Sequence, residues 1–384
     1  MIQLPKVKTI KALQTIVTTL VATMALSGCS YVVKSGANIA IGFSEKNIVP
    51  PILAMGDVDM ICNTGTALTP AIMSTQDMGA DPTRIAVLLY AASGMCAENQ
   101  ALEQDLRYLR ASKAGQVTEA QDARIAQKRL SAIAARRQYM AYQLFASRWQ
   151  TKYHVQLGES CPKMKTDLDE TIYMLGLLSG VQAVTNDINS GGEVNIPKDI
   201  AGIAERGMAC LDNNKYWGVP NATRAVLWTL LPGAGDGKPD PYVTLKQSMQ
   251  IGEQKGVRLS YALYAVAAQA SGDNDKIRDA LKSYAASVGE GKPVNPNFRL
   301  LDAMAGVMVR GISDRYWTEN TGVRTSDNGM TIFWDEQNEP SNALDDLFDD
   351  SSEPATSEAA TSESQATSTP DSSTEATPEQ TEQK

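Results

Sequence analysis

Few side chains in this chain could carry out catalysis, and they stand apart. The one histidine, His154, excludes multi-histidine metal sites and any catalytic pair that needs a second imidazole. The run over 233–238 has the glycines of a phosphate-binding loop, but Pro239 replaces the hydroxyl residue of that motif. Glu159 could be the acid of a lysozyme-like enzyme, although no second element of such a site accompanies it. The sequence therefore predicts no catalytic residues, metal ligands or cofactors.

Cys29 has the surroundings that point most clearly to a chemical modification. Residues 1–28 contain three lysines and no acid, and a short apolar run lies over 16–26. Leu26-Ser27-Gly28-Cys29 resembles the bacterial lipobox, in which the thiol is acylated and the cysteine becomes the mature first residue. We expect a removed signal peptide over 1–28 and a lipid anchor on Cys29; the alternative is an ordinary secretory signal with a chance cysteine. Ser30, in place of aspartate, favours the outer membrane, facing the periplasm.

Four further cysteines suggest disulfide chemistry in an oxidising compartment: Cys62, Cys96, Cys161 and Cys210. Three pairings are possible for four cysteines. The pairs Cys62–Cys96 and Cys161–Cys210 are favoured because each would link neighbouring helices. Four buried free thiols are the alternative. The spacings lack the C-x-x-C pattern of zinc and thioredoxin-type sites.

The charge of the chain is uneven. Residues 340–384 hold eleven acids and one base, whereas residues 29–339 hold 33 acids and 31 bases. A nearly neutral body argues against nucleic acid as a partner, since such binding needs a clear basic excess.

The body of the chain, over 51–320, has the pattern of an all-α domain. Hydrophobic residues make up 43% and aromatic residues only 6%, which favours packed helices over sheets. Asp-Pro pairs at 81–82 and 240–241 predict helix starts, as do Thr166 and a capping-box pattern at 118–121. Helices in pairs, separated by glycine or Asp-Pro turns, predict stacked antiparallel pairs and a degenerate tetratricopeptide-like α-solenoid.

The segments on either side of this body differ from it. Residues 29–50 are expected to be a linker that follows the lipid anchor. Asn328-Gly329 between two short apolar runs predicts a small β-hairpin over 323–334, within a segment at 321–339. The Ser-, Thr- and Glu-rich tail over 340–384 is predicted to be disordered, because it holds too little apolar surface to offset chain entropy.

Four aromatic residues near turns or on helix faces are candidates to line a groove: Tyr173, Trp217, Trp228 and Tyr261. The alternative for each is core packing.

Residues 51–287 resemble the T component associated with TRAP transporters, a family of bacterial periplasmic lipoproteins. The resemblance rests on five runs: YMLGLLSGVQA (173–183), IPKDIA (196–201), CLDNNKYWGVP (210–220), AVLW (225–228) and GEQKGVRL (252–259). It implies an all-helical tetratricopeptide-like lipoprotein that forms trimers with an apolar pore and contacts a periplasmic solute-binding protein. It implies no catalytic residues.

These observations lead to one main hypothesis and two alternatives. The main hypothesis is a lipid-anchored periplasmic scaffold that binds a protein or an apolar ligand. The alternatives are a periplasmic cell-wall hydrolase, which predicts a polar cleft with a desolvated acid, and a tetratricopeptide-type outer-membrane assembly lipoprotein.

Overall fold

The fold is all-α, as the composition predicts. The computed structural model describes residues 33–336; helices make up 71% of them, and no strand occurs in that range. The helices are α1 (33–47), α2 (Val49–Leu53), α3 (Val58–Ser74), α4 (Thr83–Lys113), α5 (Val117–Tyr153), α6 (Asp167–Ser190), α7 (Ile200–Met208), α8 (Val219–Leu230), α9 (Pro241–Lys255), α10 (Leu259–Ser271), α11 (Asn274–Ser287) and α12 (Arg299–Thr321).

Side-chain caps begin several of the helices where the sequence predicts them. The Asp240 carboxylate accepts a hydrogen bond from the Val243 amide at 2.9 Å at the start of α9, and Thr166 caps α6 in the same way. The predicted capping box at 118–121 is wrong. α5 begins at Val117, and its N-cap, Gln116, makes no side-chain cap bond. The three-residue turn after α4 ends at Gln116, which places Thr118 inside the first helical turn.

α4, α5 and α6 form one layer of long antiparallel neighbours. Gly115, at φ 70°, allows the short turn between α4 and α5. Gly176 and Gly180 of α6 lie against the rings of Phe145 and Tyr142 of α5, where an added Cβ atom would overlap with those rings. These two glycines therefore let aromatic side chains of α5 pack directly against the backbone of α6.

The last helix of the body returns to the first ones. α12 contacts α2, α3 and α4, while α10 contacts α8, α9, α11 and α12. Leu300 of α12 packs in one cluster with Val58, Ile61 and Met95. In a solenoid each repeat contacts only its neighbours, so these helices close on one another instead of continuing as an open stack.

Two expectations about the flanking segments are corrected. Residues 33–47, expected to be a linker, form α1, because Ile41 buries its side chain with Ile85 and Leu89 of α4. The segment over 323–334 forms turns instead of a β-hairpin. A type I′ turn needs positive φ at both central residues, and neither residue of Asn328-Gly329 has it.

A tertiary contact accounts for the shape of that segment. The Trp317 indole donates a hydrogen bond to the Gly329 carbonyl at 2.8 Å, and Phe333 is fully buried against Trp317. Burial of these rings against α12 stabilises the turns in place of strand pairing.

The two favoured disulfides are confirmed. Cys62–Cys96 joins α3 to α4, and Cys161–Cys210 joins the segment before α6 to the turn after α7, each with Cα atoms 5.3 Å apart. The predicted signal peptide over 1–28, the predicted lipid anchor at Cys29 and the tail over 340–384 lie outside the described residues. Within 33–336, every helix is too short or too polar to cross a bilayer.

Candidate functional site

The four aromatic residues predicted to line a groove belong to the packed core. Tyr173 is fully buried, and Trp217, Trp228 and Tyr261 are 4%, 7% and 5% exposed. Trp228 donates to Glu205 at 2.9 Å and Tyr261 donates to Glu253 at 3.0 Å. The polar atoms of Trp228 and Tyr261 are thus satisfied within the helix packing, while the buried Tyr173 hydroxyl has no hydrogen-bond partner among residues 33–336. All four side chains are packed in the core, and the groove assignment is corrected.

The structure encloses a different site, which we call the central cavity. It has a volume of about 240 Å³ and lies among α2, α3, α4, α6, α8, α10 and α12. Its lining is mostly aliphatic: Val49, Ile52, Leu53, Ile61, Ile85, Leu88, Leu89, Ala91, Ala92, Met95, Leu175, Leu178, Val181, Val219, Val226, Leu227, Leu230, Leu259, Leu263, Val266, Leu300, Leu301, Met304 and Met308. Thr64, Glu98, Ser179, Gln182, Thr185 and Thr223 complete it.

α6 shows how helical periodicity produces this cavity. Tyr173 of α6 packs against the ring of Phe145 on α5, and Leu177 packs against Gly207 of α7. Leu175, Leu178 and Val181 instead line the cavity. A helix that is apolar all round is buried on more than one side. The nearly continuous apolar run over 172–184 is the sequence signal of this placement, and its polar interruptions, Ser179 and Gln182, fall on the cavity side.

Most hydroxyl groups in the lining are already engaged. Thr64, Ser179, Thr185 and Thr223 each donate to the carbonyl four residues earlier on the same helix. The polar side chains with unused hydrogen-bonding capacity toward the cavity are therefore mainly those of Glu98 and Gln182.

Glu98 is the half-buried end of a polar chain across three helices. Its Oε2 atom accepts a hydrogen bond from Gln138 Nε2 of α5 at 2.9 Å. Gln138 Oε1 in turn accepts from Asn186 Nδ2 of α6 at 2.9 Å. Desolvation raises the pKa of the Glu98 carboxyl above its ordinary value, and the Gln138 hydrogen bond and the nearby Asn186 amide oppose this rise by less.

The helix directions bring Glu98 and Gln182 to the same end of the central cavity. α4 and α6 each run antiparallel to α5, so they are parallel to one another. Glu98 follows the aliphatic lining residues along α4, and Gln182 follows most of those along α6. The Glu98–Gln138–Asn186 chain fixes Glu98 at the level of Asn186, one turn beyond Gln182. The cavity is therefore apolar along most of its length and polar at one end.

An ionic cluster outside the cavity lining also links the helices. The Asp169 carboxylate, 2% exposed as a residue, accepts from Lys152 at 2.9 Å and from Tyr153 at 2.8 Å, and it lies 3.4 Å from Arg84. Burial opposes the ionised form, but these partners hold the pKa of Asp169 below its ordinary value. Arg84 also pairs with Glu45, which attaches α1 to α4.

The outer face of α1 carries exposed apolar side chains. Ile39 is 73% exposed and Phe43, one turn later, is 61% exposed, while Ile41 between them is buried. α1 begins four residues after Cys29 in the sequence, so these side chains lie close to the predicted lipid anchor along the chain.

The hydrolase alternative gains little from this geometry. Glu159 is exposed. Glu98 is a desolvated acid, but it is the one acidic residue among those that line the cavity in the described part of the chain. Two carboxyl groups flank the bond in most glycoside hydrolases. Among residues 33–336, no three His, Cys, Asp or Glu side chains converge as metal ligands.

Sequence reasoning identified the apolar faces that line the cavity but not the cavity itself. On α4, the apolar residues Ile85, Leu88, Leu89, Ala92 and Met95 recur in the sequence at the spacing of one helix face, and all five line the cavity. Comparisons of the chain with family models, with curated proteins and with solved structures find no significant match.

Proposed function

We propose that this protein is a lipid-anchored periplasmic binding and scaffold protein that holds an apolar ligand in its central cavity. The observation that carries the proposal is the aliphatic lining of a 240 Å³ cavity by side chains from seven helices. Ligand pockets are lined mostly by apolar side chains, with a few placed polar groups that fix orientation. The central cavity has this composition.

The shape and chemistry of the lining favour an extended alkyl chain as the ligand. Aliphatic walls offer no partners to a sugar or a small ion, which would lose its hydration without compensation. An alkyl chain gains about 0.8 kcal/mol for each methylene that leaves water. The ligand class is therefore lipid-like.

The anchor places this cavity beside a membrane. Acylation of Cys29 attaches the mature N-terminus to the outer membrane, and the exposed Ile39 and Phe43 lie within the first three turns of α1. Their apolar side chains would lie at the lipid interface. A membrane-bound protein with an apolar cavity is suited to receive or present a molecule that water dissolves poorly.

The partners follow from the resemblance to the T component associated with TRAP transporters. We propose a homo-oligomer, a trimer by that resemblance, in contact with a periplasmic solute-binding protein. Purification of the full chain from membranes, with chemical crosslinking before extraction, tests both. If crosslinking yields only the single subunit, joined to no other copy and to no second polypeptide, this part of the proposal is contradicted.

The central test is the identity of the bound species. The full-length protein is purified from membranes, extracted with organic solvent and analysed by mass spectrometry, beside two variants. Leu178→Trp fills the cavity, and Ile188→Trp adds the same ring to an exposed site of the same helix. We expect lipid-like molecules with the parent and with Ile188→Trp, and their loss with Leu178→Trp.

Equal recovery from all three proteins would show that the molecules bind elsewhere.

A separate variant, Cys29→Ala, tests the anchor: we expect the unlipidated chain in the soluble periplasmic fraction. Retention of Cys29→Ala in the membrane fraction after a carbonate wash would contradict lipid anchoring through this residue.

A further inference from the structure

The polar end of the central cavity is held rigidly. Gln138 is fully buried and Asn186 is 2% exposed, whereas Glu98, at the cavity end of the chain, is half-buried. Gln138 packs against Gly94, where an added Cβ atom would lie 2.6 Å from Gln138 Cγ. Because both ends of the Gln138 amide are engaged, its Nε2 donor stays directed at Glu98 Oε2.

This chain does more than join three helices, because Glu98 also lines the cavity. Its second oxygen, Oε1, makes no hydrogen bond with residues 33–336. Gln182, which lines the same end, has no hydrogen-bond partner for its amide in that range either. A carboxyl oxygen and a side-chain amide are thus left with free capacity at the end of an otherwise apolar space.

The charge state of this end follows from its surroundings. None of the described residues that line the cavity is a lysine, arginine or histidine, and Glu98 forms no ion pair in the described part of the chain. Burial without a cation favours the neutral carboxyl, consistent with the raised pKa of Glu98. A neutral carboxyl both donates and accepts a hydrogen bond.

We propose that Glu98 and Gln182 bind an uncharged oxygen-bearing group, such as a hydroxyl or ester, at one end of the apolar chain that fills the cavity. This inference rests on the proposed function and specifies its ligand. A carboxylate head would lie beside the Glu98 carboxyl with no cation in the lining to offset its charge, which is costly. A hydroxyl or ester can exchange hydrogen bonds with Glu98 and Gln182 without bringing a charge.

The test compares three ligands with the same ten-carbon chain: 1-decanol, decanoate and decylamine. Each is tested for displacement of the fluorescent probe naphthalene, whose ten carbon atoms match the capacity of the cavity, from the purified full-length protein at pH 7. We expect 1-decanol to bind at least about tenfold more tightly than decanoate or decylamine. Tighter binding of either charged ligand would overturn the head-group assignment.

Two variants test the named residues. Gln182→Leu should weaken 1-decanol about fivefold, the effect of one lost hydrogen bond, while the affinity for the probe stays within about twofold. Glu98→Gln keeps a donor and an acceptor and should retain 1-decanol binding within about twofold. Gln100→Leu, at an exposed site of α4, is the matched control. Thermal unfolding of each variant confirms that it folds.

The outcomes separate this inference from the function on which it rests. If all three ligands bind equally and Gln182→Leu changes nothing, the cavity binds chains but the head-group site is refuted. A loss of 1-decanol binding greater than about tenfold in Glu98→Gln would also refute it, because the neutral amide should suffice. If neither the probe nor any ligand binds, the proposed function and this inference both fail.

Discussion

Replacing Leu178 with tryptophan should shorten the chain that the central cavity accepts. Leu178 lines the cavity from α6 and is partly exposed, in contrast to its fully buried neighbour Leu177. An engineered cavity of about 150 Å³ binds benzene, with its six carbon atoms. On that scale a cavity of 240 Å³ holds about ten carbon atoms.

The variant should remove more than half of that capacity. Tryptophan has about six more side-chain atoms than leucine, the equivalent of one benzene ring, so space for about four carbon atoms remains. At about 0.8 kcal/mol for each buried methylene, the longest chains lose up to about 5 kcal/mol of binding free energy.

The assay is isothermal titration calorimetry of a series of linear alcohols from butanol to tetradecanol, which needs no bound probe in either protein. For the parent protein, affinity should rise about fourfold for each added carbon and level off near ten carbons. For Leu178→Trp it should level off near four. Ile188→Trp, whose site is 61% exposed on the same helix, should behave as the parent does. The reasoning is refuted if affinity does not depend on chain length. It is also refuted if affinity levels off at the same chain length for Leu178→Trp as for the parent.

Three further predictions concern stability. Asp169→Asn should destabilise the protein by about 2 kcal/mol at pH 7 in urea unfolding. Because the folded-state pKa of Asp169 is lowered, this stabilisation exists above the ordinary pKa near 4 and is lost as the pH falls through the lowered value; an undiminished difference at pH 2 would contradict it. Glu98→Gln has the opposite pH dependence. The folded-state pKa of Glu98 is raised, so the parent loses stability relative to Glu98→Gln as the pH rises from about 4.5 toward that raised value, and equal differences at pH 4 and pH 8 would contradict the assignment. Removal of the Cys161–Cys210 disulfide, which closes a loop of 49 residues, by paired serine substitution should cost about 4 kcal/mol in denaturant unfolding, and a change below about 1 kcal/mol would show that the loop is ordered without it.

Local signals account for the elements that the sequence predicts correctly. The cap at Asp240 and the αL glycine at Gly256 are set by residues within one turn of the helix end, so they can be read without knowledge of the fold. The disulfide pairs were also predictable, since each joins segments that lie close in the chain order of the helices. The capping box at 118–121 was misread because several positions near a turn can satisfy the same short pattern.

The hairpin and the linker were mispredicted because distant residues decide those segments. Gly329 accepts its hydrogen bond from the Trp317 indole of α12, and α1 is held by Ile41 against α4. Neither partner is visible in the local sequence. The aromatic residues expected in a groove became core for the same reason: which side of a helix meets solvent depends on the helices packed around it.

By itself, the sequence determined the all-α class and the helix ends set by local residues, such as Asp240 and Gly256, and it favoured the correct cysteine pairs, because these depend on spacing over a few residues or on chain order. Only the tertiary structure decided that Ile85, Leu88 and Met95 line a cavity instead of a filled core. It also decided that Glu98 closes one end of that cavity. α12 contacts α3 and α4 and so encloses the space. The spacing of apolar residues within one helix does not show where a neighbouring helix leaves a gap beside it.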